Sequence, residues 1–240
     1  MTAIRTERLT KRYGNKIAVD GLDLTVEKGE IFALLGTNGA GKTTTVKMLS
    51  TLIDKSEGKT EIFGLDTEKD RQKIRQFINI SPQETAIAQN LTVRENLEFM
   101  AGAYKIKDSA KKIGELTEKF GLSPVMEQKG KTLSGGWQRK LSIAIALINE
   151  PKLLFLDEPT LGLDVIARKE LWSVIEAMRG EVTVILTTHY MEEAEKLSDR
   201  VAIMSSGKLR AMGTPQEIIS RSGKDNFEDA FVNFATGGEI

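Results

Sequence analysis

The chain has 240 residues, and its 34 Lys and Arg balance 34 Asp and Glu, so its formal net charge is zero. This length can bury the core of one large domain or two small ones, and 40% hydrophobic with 28% charged residues is typical of a folded chain. The neutral balance argues against binding duplex nucleic acid through bulk positive charge. The absence of Cys excludes disulfides and thiolate metal sites and is consistent with a reducing cytoplasm.

Neither a membrane span nor a signal peptide is predicted. The apolar stretch LSIAIALI, from Leu141 to Ile148, is far shorter than the ~18 residues of a membrane-spanning helix. The N-terminus MTAIRTERLTKRY is polar and charged, without the apolar segment of a signal peptide. We therefore expect a chain with no transmembrane segment of its own.

The first elements predicted are short strands around Ala3–Leu9 and Ile17–Val26, where apolar and polar residues alternate. The apolar run Glu30–Gly36 then leads through a glycine-rich loop into TTTVKMLSTLI (43–53), which has the length of a helix. Further apolar runs mostly lack polar alternation, as expected of strands covered on both faces of a largely parallel sheet: Phe77–Ser81, Lys152–Asp157, Val182–Thr188 and Arg200–Met204.

A helical insert is predicted between Thr92 and Glu150, because apolar residues there recur every three or four positions. Asp108 or Ser109 can cap its second helix, and Gly121 would end that helix.

A buried helix is predicted after LSGGW (133–137), with Ser134 as its cap and Pro151 as its stop. Further on, SSG (205–207) separates two apolar runs as a hairpin turn would. The predicted division is a main domain at 1–220, a helical insert within it at about 84–150, and a C-terminal tail at 221–240.

The segment GTNGAGKT matches the phosphate-loop pattern G-x-x-x-x-G-K-[ST] and lies between a predicted strand and a predicted helix. Such a loop turns backbone N–H groups toward an anion, and the helix N-terminus adds partial positive charge. Lys42 would reach the outer phosphates, and the Thr43 hydroxyl would ligate Mg²⁺. The alternative is an ordinary glycine turn into a helix. The candidate nucleotide-binding residues of this loop are Gly36, Thr37, Asn38, Gly39, Ala40, Gly41, Lys42, Thr43 and Thr44.

Two adjacent carboxylates, Asp157 and Glu158, end a predicted buried strand. Because parallel strands bring their carboxyl ends to one edge of a sheet, this pair is expected beside the phosphate loop. Asp157 would then hold Mg²⁺, directly or through water, and Glu158 would polarise an attacking water. The competing interpretation is a solvated strand end.

Two single polar residues also follow predicted strands. His189, the only histidine, can contact a γ-phosphate and the attacking water, and the amide of Gln83 can ligate Mg²⁺ or water. Either can equally be incidental. The turn at Ser134 looks like a second anion-binding helix start, for which a different ligand, a different nucleotide or plain capping remain open.

Six segments occur in one order: GTNGAGKT, Gln83, LSGGW, LLFLDEP, LGLD (161–164) and His189. Their order and spacing resemble the ATP-binding subunits of ABC transporters. The resemblance implies an α/β fold: a P-loop nucleotide hydrolase core with a mostly parallel sheet, an N-terminal antiparallel β subdomain and an inserted helical subdomain. It also implies ATP and Mg²⁺ as cofactors, and a head-to-tail dimer. Each ATP would lie between the phosphate loop of one subunit and Ser134, Gly135 and Gly136 of the other.

The same resemblance implies roles for single residues. Tyr13 would stack on adenine, Asp164 would connect the two sites across the dimer, and His189 would sense the γ-phosphate. Gln83 would link the γ-phosphate and Mg²⁺ site to a membrane partner. The candidate catalytic residues are then Lys42, Gln83, Glu158 and His189, and the candidate metal ligands are Thr43, Gln83 and Asp157.

Three longer segments, SPQETAIAQNLTVRENLEFMAG, EPTLGLDVIAR and FEDAFVNFATG, most resemble stand-alone ATPases of bacterial and archaeal drug, cation or polysaccharide exporters. The residues before the signature, EQKGKT, lack the acidic TEVGE pattern of exporters with fused membrane domains. One departure is Trp137, where the commonest signature has Gln. The implied partners are a transmembrane permease and a second, most simply identical, ATP-binding subunit, at the cytoplasmic face of the cell membrane and without nucleic acid.

Three alternatives stay open. A soluble ABC ATPase acting on ribosomes or DNA shares these motifs, although such proteins generally carry tandem ATPase domains or a long coiled coil. A small-molecule kinase with a P-loop would have no use for LSGG and LGLD. A non-catalytic subunit would result if Trp137 spoils the composite site.

Overall fold

A computed structural model of the chain describes residues 1–237; the last three residues of the predicted tail, 238–240, lie outside the described range. Among the described residues, ten strands form two sheets. The strands are β1 (Thr2–Tyr13), β2 (Lys16–Glu27), β3 (Ile31–Leu35), β4 (Glu57–Ile62), β5 (Leu65–Asp66), β6 (Ile78–Ser81), β7 (Leu153–Asp157), β8 (Thr183–Thr188), β9 (Arg200–Ser205) and β10 (Lys208–Gly213). The α-helices are α1 (Lys42–Leu49), α2 (Arg71–Ile74), α3 (Val93–Ala103), α4 (Ser109–Lys119), α5 (Gly135–Ala146), α6 (Val165–Glu176), α7 (Met191–Leu197), α8 (Pro215–Ser222) and α9 (Phe227–Ala235).

The central sheet has the strand order β10-β9-β3-β8-β7-β6. Its pairs are parallel except the β9–β10 hairpin, which confirms the largely parallel sheet predicted from the sequence. Alternate residues of β3 enter two different cores: Ile31 and Leu35 pack on one face of the sheet, and Phe32 on the other. Both faces are therefore covered, and this explains why the strand shows no polar alternation.

The N-terminal strands form the second sheet, in the order β2-β1-β4-β5 with antiparallel pairs. Its apolar face shares a core with α1 and the central sheet, since Ile4, Leu22, Val46 and Phe155 belong to one buried cluster. The predicted antiparallel β subdomain is thus confirmed, and it packs on the side of the sheet that carries the first helix.

The helices α3, α4 and α5 lie between β6 and β7, where the sequence predicts helices. Asp108, rather than Ser109, caps α4, because its side chain accepts a hydrogen bond from the Lys111 N–H. Gly121 follows the end of that helix with a φ of 61°, a left-handed conformation that suits glycine.

Two helix ends differ from the prediction. The first helix ends at Leu49 instead of continuing to residue 53, because Thr51 adopts a left-handed φ of 60° and its backbone and side chain are held by Arg75. Helix α5 ends at Ala146, well before Pro151. Glu150, with a φ of 52°, turns the chain toward β7, so proline is not the stop.

The predicted tail from residue 221 begins within α8, and α9 follows. Phe227, Phe231 and Phe234 of α9 are buried in the same core as β3 and α5. The turn at Ser206 and Gly207 forms the predicted β9–β10 hairpin, with positive φ at both residues. Within residues 1–237, no helix combines the length and hydrophobicity that a bilayer-spanning segment needs.

Candidate active site

Four segments that follow β3, β6, β7 and β8 meet at the carboxyl edge of the central sheet, as the parallel order requires. Together they surround a cleft of about 690 Å³. The phosphate loop contributes residues 38–44, and the other strand ends contribute Gln83, Glu158 and His189. Residues outside the predicted site also line this cleft: Lys16, Ile17, Ala18, Leu161 and Ser206.

The glycines of the loop are required by close backbone approaches. A Cβ at Gly36 would lie 2.4 Å from the Met204 carbonyl oxygen, and a Cβ at Gly41 would lie 2.6 Å from that of Ala18. Gly41 also has a φ of 102°, which side chains disfavour. It is the N-cap of α1, with no side-chain cap, so the first N–H groups of the helix are left for a ligand.

The Lys42 ammonium is buried at the centre of the loop. Its Nζ donates to the Gly36 carbonyl oxygen at 2.7 Å and to that of Thr37 at 3.3 Å. Its third partner is Glu158, whose Oε1 lies 3.3 Å away. The cation is therefore held at a fixed place between the loop and the acid pair, where it can meet an anionic ligand of the cleft.

The Asp157 carboxylate lies behind the loop. Its Oδ1 accepts hydrogen bonds from the Thr43 hydroxyl at 3.1 Å and from the Thr187 hydroxyl at 2.5 Å. A hydroxyl and a carboxylate are hard oxygen donors, which fit Mg²⁺. Among the described residues, no three His, Asp or Glu side chains cluster as a metal site. A Mg²⁺ ion at Thr43 and Asp157 would thus complete its shell with water and substrate oxygens, as this ion commonly does.

Glu158 is only 6% exposed and is held from several sides. Its Oε2 lies 2.7 Å from His189 Nδ1. Its φ of 50° is unusual for a residue with a side chain, and its N–H donates to the Thr187 carbonyl and hydroxyl oxygens. Such a conformation persists only where the surroundings enforce it. The carboxylate is therefore fixed between Lys42 and His189, at the wall of the cleft.

Several predicted site residues do not line the cleft of this chain. Tyr13 is half exposed at the end of β1, where the Lys11 ammonium lies 5.0 Å from its ring centre. The signature turn, Ser134–Gly136, lies against the LGLD segment and the first turn of α6: a Cβ at Gly135 would be 4.0 Å from Leu163 Cδ2, and one at Gly136 would be 3.1 Å from the Ala167 Cβ. Asp164 caps α6 by accepting hydrogen bonds from two backbone N–H groups.

Ser134 occupies the N-cap position of α5, but its side chain makes no capping hydrogen bond. Side-chain capping, one of the interpretations open from the sequence, is therefore wrong. The N–H groups at the start of this helix are left without a side-chain acceptor.

Three residues that shape the site carry no motif signal. The Thr187 hydroxyl donates to the Asp157 carboxylate and accepts from the Glu158 N–H, and Arg139 of α5 donates to the backbone carbonyl oxygens of both acids. Glu193 of α7 is fully buried, and its Oε1 accepts hydrogen bonds from Thr160 Oγ1 at 2.8 Å and from Trp172 Nε1 at 3.1 Å. Glu193 thus ties the loop after Glu158 to two helices. The only hint in the sequence is a charged residue within an otherwise apolar helix face, which is a weak signal.

Burial raises the pKa of Glu193, against the opposing effect of hydrogen bonds from Thr188, Thr160 and Trp172. Because the pKa of Glu193 is higher in the folded chain than its ordinary value of 4.5, folding favours the protonated carboxyl. Its contribution to the free energy of unfolding is therefore complete below pH 4.5 and is lost as the pH rises through the folded-state pKa. Gln at this position cannot ionise, and its amide oxygen can still accept the hydrogen bonds that Oε1 accepts from Thr160 and Trp172. We expect the melting temperature of Glu193→Gln, relative to the unmodified chain, to increase as the pH rises from about 4.5 to neutrality.

Each pH unit between the unfolded-state and folded-state pKa values changes the free energy of unfolding by about 1.4 kcal/mol. Each kcal/mol shifts the melting temperature by about 2–4 °C for a chain of this length. Differential scanning fluorimetry across this pH range measures the difference. Glu192→Gln is the matched control, because the bond to Lys196 lowers the pKa of this exposed neighbour. A difference between Glu193→Gln and the unmodified chain that stays constant with pH would contradict the prediction.

Comparison with known proteins decides the family. Residues 19–161, which include the phosphate loop and the acid pair, match the family model described as "ABC transporter". The chain belongs to the ABC transporter family. Proteins of this family bind ATP, and the family assignment agrees with the six motifs found in the sequence.

Two relatives of this ABC protein are 40% identical to it. One is the probable multidrug ABC transporter ATP-binding protein YbhF of Escherichia coli (strain K12), over 239 residues; the match covers 96% of this chain, which spans only 41% of that relative's length. The other is the daunorubicin resistance ATP-binding protein DrrA3 of Streptomyces coeruleorubidus, over 230 residues, with 95% of this chain and 73% of the relative covered.

A solved structure described as that of an ATP-binding subunit of an ABC transporter has the same fold, with a TM-score of 0.87 at 27% sequence identity. The match covers 97% of this chain and 99% of that one. The predicted α/β class, with its P-loop core, β subdomain and helical insert, is confirmed.

Proposed function

We propose that this ABC protein binds and hydrolyses ATP in the cleft at the sheet edge, and that this drives export through a separate membrane subunit. The observation that carries the proposal is the contact network of Lys42, Glu158 and His189 at the wall of the cleft. It joins a phosphate-binding cation to a carboxylate suited to activating water, which a binding module would not need.

ATP would lie with its phosphates in the loop formed by residues 36–44. Lys42 would exchange its bond to Glu158 for the outer phosphates, and Tyr13 would stack on the adenine. Mg²⁺, held by Thr43, Asp157 and Gln83, would neutralise charge on the phosphates. The hydroxyl-to-carboxylate distance of 3.1 Å supports Thr43 and Asp157 as ligands, and Gln83 lines the same cleft.

Glu158 would act as the general base: it would orient the attacking water and accept its proton as the phosphoryl group leaves ADP. His189, already 2.7 Å from this carboxylate, would hold it in place and sense the γ-phosphate. Lys42 would lower the charge on the transferred group. Gln83, which lines the cleft after β6, would report its state to the membrane partner.

The site would be completed by a second copy of the chain. Ser134, Gly135 and Gly136 lie outside the cleft of their own subunit, and the start of α5 lacks a side-chain cap. In a head-to-tail dimer this helix start would face the partner's ATP, as the family resemblance implies. Asp164, in the loop against which the signature turn packs, would link the two sites.

The exporter role is supported by the relatives, one named for multidrug transport and one for daunorubicin resistance. A transmembrane permease would then be the partner, with the ATPase at the cytoplasmic face of the membrane. We propose residues 1–220, including the helical insert at about 84–150, as the ATP-binding domain and residues 221–240 as a C-terminal tail, whose helix α9 packs into the core of that domain.

The test is purification of the chain from its own cells in mild detergent, followed by assays of ATP hydrolysis and of transport into inverted vesicles with any membrane protein that co-purifies. We expect a membrane protein to co-purify and drug uptake to require both ATP and Glu158. The Glu158→Gln complex serves as the inactive control. An active ATPase that associates only with soluble partners would refute the exporter role while leaving ATP hydrolysis in place, as in the soluble ABC alternative.

A further inference from the structure

Arg139 is a charged residue inside the helix that follows the signature turn. It is 3% exposed, and its guanidinium donates to three backbone carbonyl oxygens. Nη1 bonds to Pro82 at 2.6 Å, and Nη2 bonds to Asp157 at 3.2 Å and to Glu158 at 2.6 Å. One side chain of α5 thus contacts the segment before Gln83 and both members of the acid pair.

Burying this cation is unfavourable unless its donors are used. An Arg side chain carries five N–H donors and cannot lose its charge in a protein. Burial lowers the pKa of Arg139, whereas the carboxylates of Asp157, Glu193 and Glu158 act in the opposite direction. A guanidinium suits such a place because its planar donors, spread over three nitrogens, reach acceptors on separate segments; Lys has its three donors on one atom, and Met has none.

The carbonyl of Glu158 is the contact with the greatest consequence. Glu158 adopts a strained left-handed conformation, and its N–H is already held by Thr187. The bond from Arg139 restrains the other side of the same residue. The backbone of Glu158 is therefore fixed from two different elements, β8 and α5, which sets where its carboxylate points.

The same helix is tied to the segment before and after Gln83 by further contacts. Ser142 lies 3.0 Å from Ser81, with both hydroxyls buried, and Gln138 contacts Thr85 at 3.5 Å. The first turn of α5 is the signature turn itself, four residues before Arg139. A shift of this helix along its axis would move the Glu158 carbonyl and the Gln83 segment together.

We propose that Arg139 is a positioning residue that couples the signature turn to the Glu158 and Gln83 segments of the same subunit. The proposal rests on the proposed function, in which the signature turn serves the partner's ATP while Glu158 serves the subunit's own. Arg139 would then carry the state of one ATP site directly to the other. The two sites would be connected by the first turn of α5 and by the hydrogen bonds of the Arg139 guanidinium.

The test compares Arg139→Met and Arg139→Lys with Lys140→Met, which removes the adjacent cation, bonded to Glu170 on α6. We expect Arg139→Met to lower kcat about 10- to 100-fold, which is the effect of losing one or two hydrogen bonds from a charged group. The Kd for ATP should change less than about threefold. Arg139→Lys should recover part of kcat, and Lys140→Met should match the unmodified chain. Equal losses in kcat and ATP affinity, or an unchanged kcat, would overturn the proposal.

Coupling to the signature turn is tested by a double-mutant cycle with Ser134→Ala. We expect Ser134→Ala to cost less kcat in the Arg139→Met background than in the unmodified chain, since the link is already broken. Additive effects of the two substitutions would overturn the coupling.

Hydrogen exchange of the nucleotide-free chain provides a readout that does not depend on ATP hydrolysis. We expect the amides of residues 158–163 to exchange about tenfold faster or more in Arg139→Met and to be unchanged in Lys140→Met. Unchanged exchange in Arg139→Met would refute the positioning role. A chain that hydrolyses no ATP would instead refute the proposed function, and the exchange measurement would still decide the role of Arg139.

Discussion

A Glu158→Gln variant should bind ATP as the unmodified chain does and lose about 10²–10⁴-fold in turnover, the usual weight of a positioned general base. Gln preserves the size of the side chain and an oxygen acceptor toward Lys42, which now lies 3.3 Å from the carboxylate. An amide cannot take a proton from water, so the chemical step alone should suffer. Steady-state ATPase assays and nucleotide titrations, with and without the membrane partner, measure the two quantities.

The matched control is Glu181→Gln, which neutralises an exposed carboxylate next to the opposite end of β8. Turnover in Glu158→Gln equal to that of this control would contradict the assignment of Glu158 as the general base.

The Glu158→Gln variant also tests the dimer, because an enzyme that binds ATP without hydrolysing it should accumulate as the closed, ATP-bound dimer. We expect Glu158→Gln to elute as a dimer with ATP, and the double variant with Ser134→Arg to stay monomeric.

Replacing Lys42 with Ala should weaken ATP binding about 10- to 100-fold, the effect of losing one hydrogen-bonding cation at the phosphates. The ammonium is buried among the carbonyl oxygens of Gly36 and Thr37 and the Glu158 carboxylate, which hold it at the phosphate loop. Turnover should fall as well, because in the proposed mechanism this cation would contact the transferred phosphoryl group. Isothermal titration with a non-hydrolysable ATP analogue gives the affinity.

Lys47→Ala is the matched control, since Lys47 is an exposed Lys of the same helix. Circular dichroism at the same protein concentrations checks that both variants are folded. An ATP affinity in Lys42→Ala equal to that in Lys47→Ala would contradict the assignment of the cleft as the phosphate site.

Much of the site could be predicted because its chemistry is local in the chain. The phosphate loop is one continuous segment, so its glycines, Lys42 and Thr43 can be recognised together in the sequence. Asp157 and Glu158 end a run of apolar residues, and parallel strands bring such ends to one edge. The roles given to Gln83 and His189 depended on the family resemblance, because a single polar residue after a strand is uninformative by itself.

Helix ends were predicted less well, because they depend on contacts outside the helix. The first helix stops at Leu49, where Arg75 of a later segment holds Thr51. Pro151 suggested a stop that lies five residues beyond the last residue of α5, Ala146. Local propensity is weak beside such packing, so tertiary contacts decide where each helix ends.

The sequence by itself determined the fold class, the phosphate loop, the acid pair and the family. The loop and the acid pair are residue types at short spacing, and the family resemblance depends on the order of six short motifs along the chain. Only the tertiary structure decided that Arg139, Thr187 and Glu193 support Glu158. Their hydrogen bonds join residues about 20–30 positions apart, and their charge or polarity is tolerated only because buried partners satisfy it. Burial and pairing of this kind belong to the packed chain, and no short segment of the sequence encodes them alone.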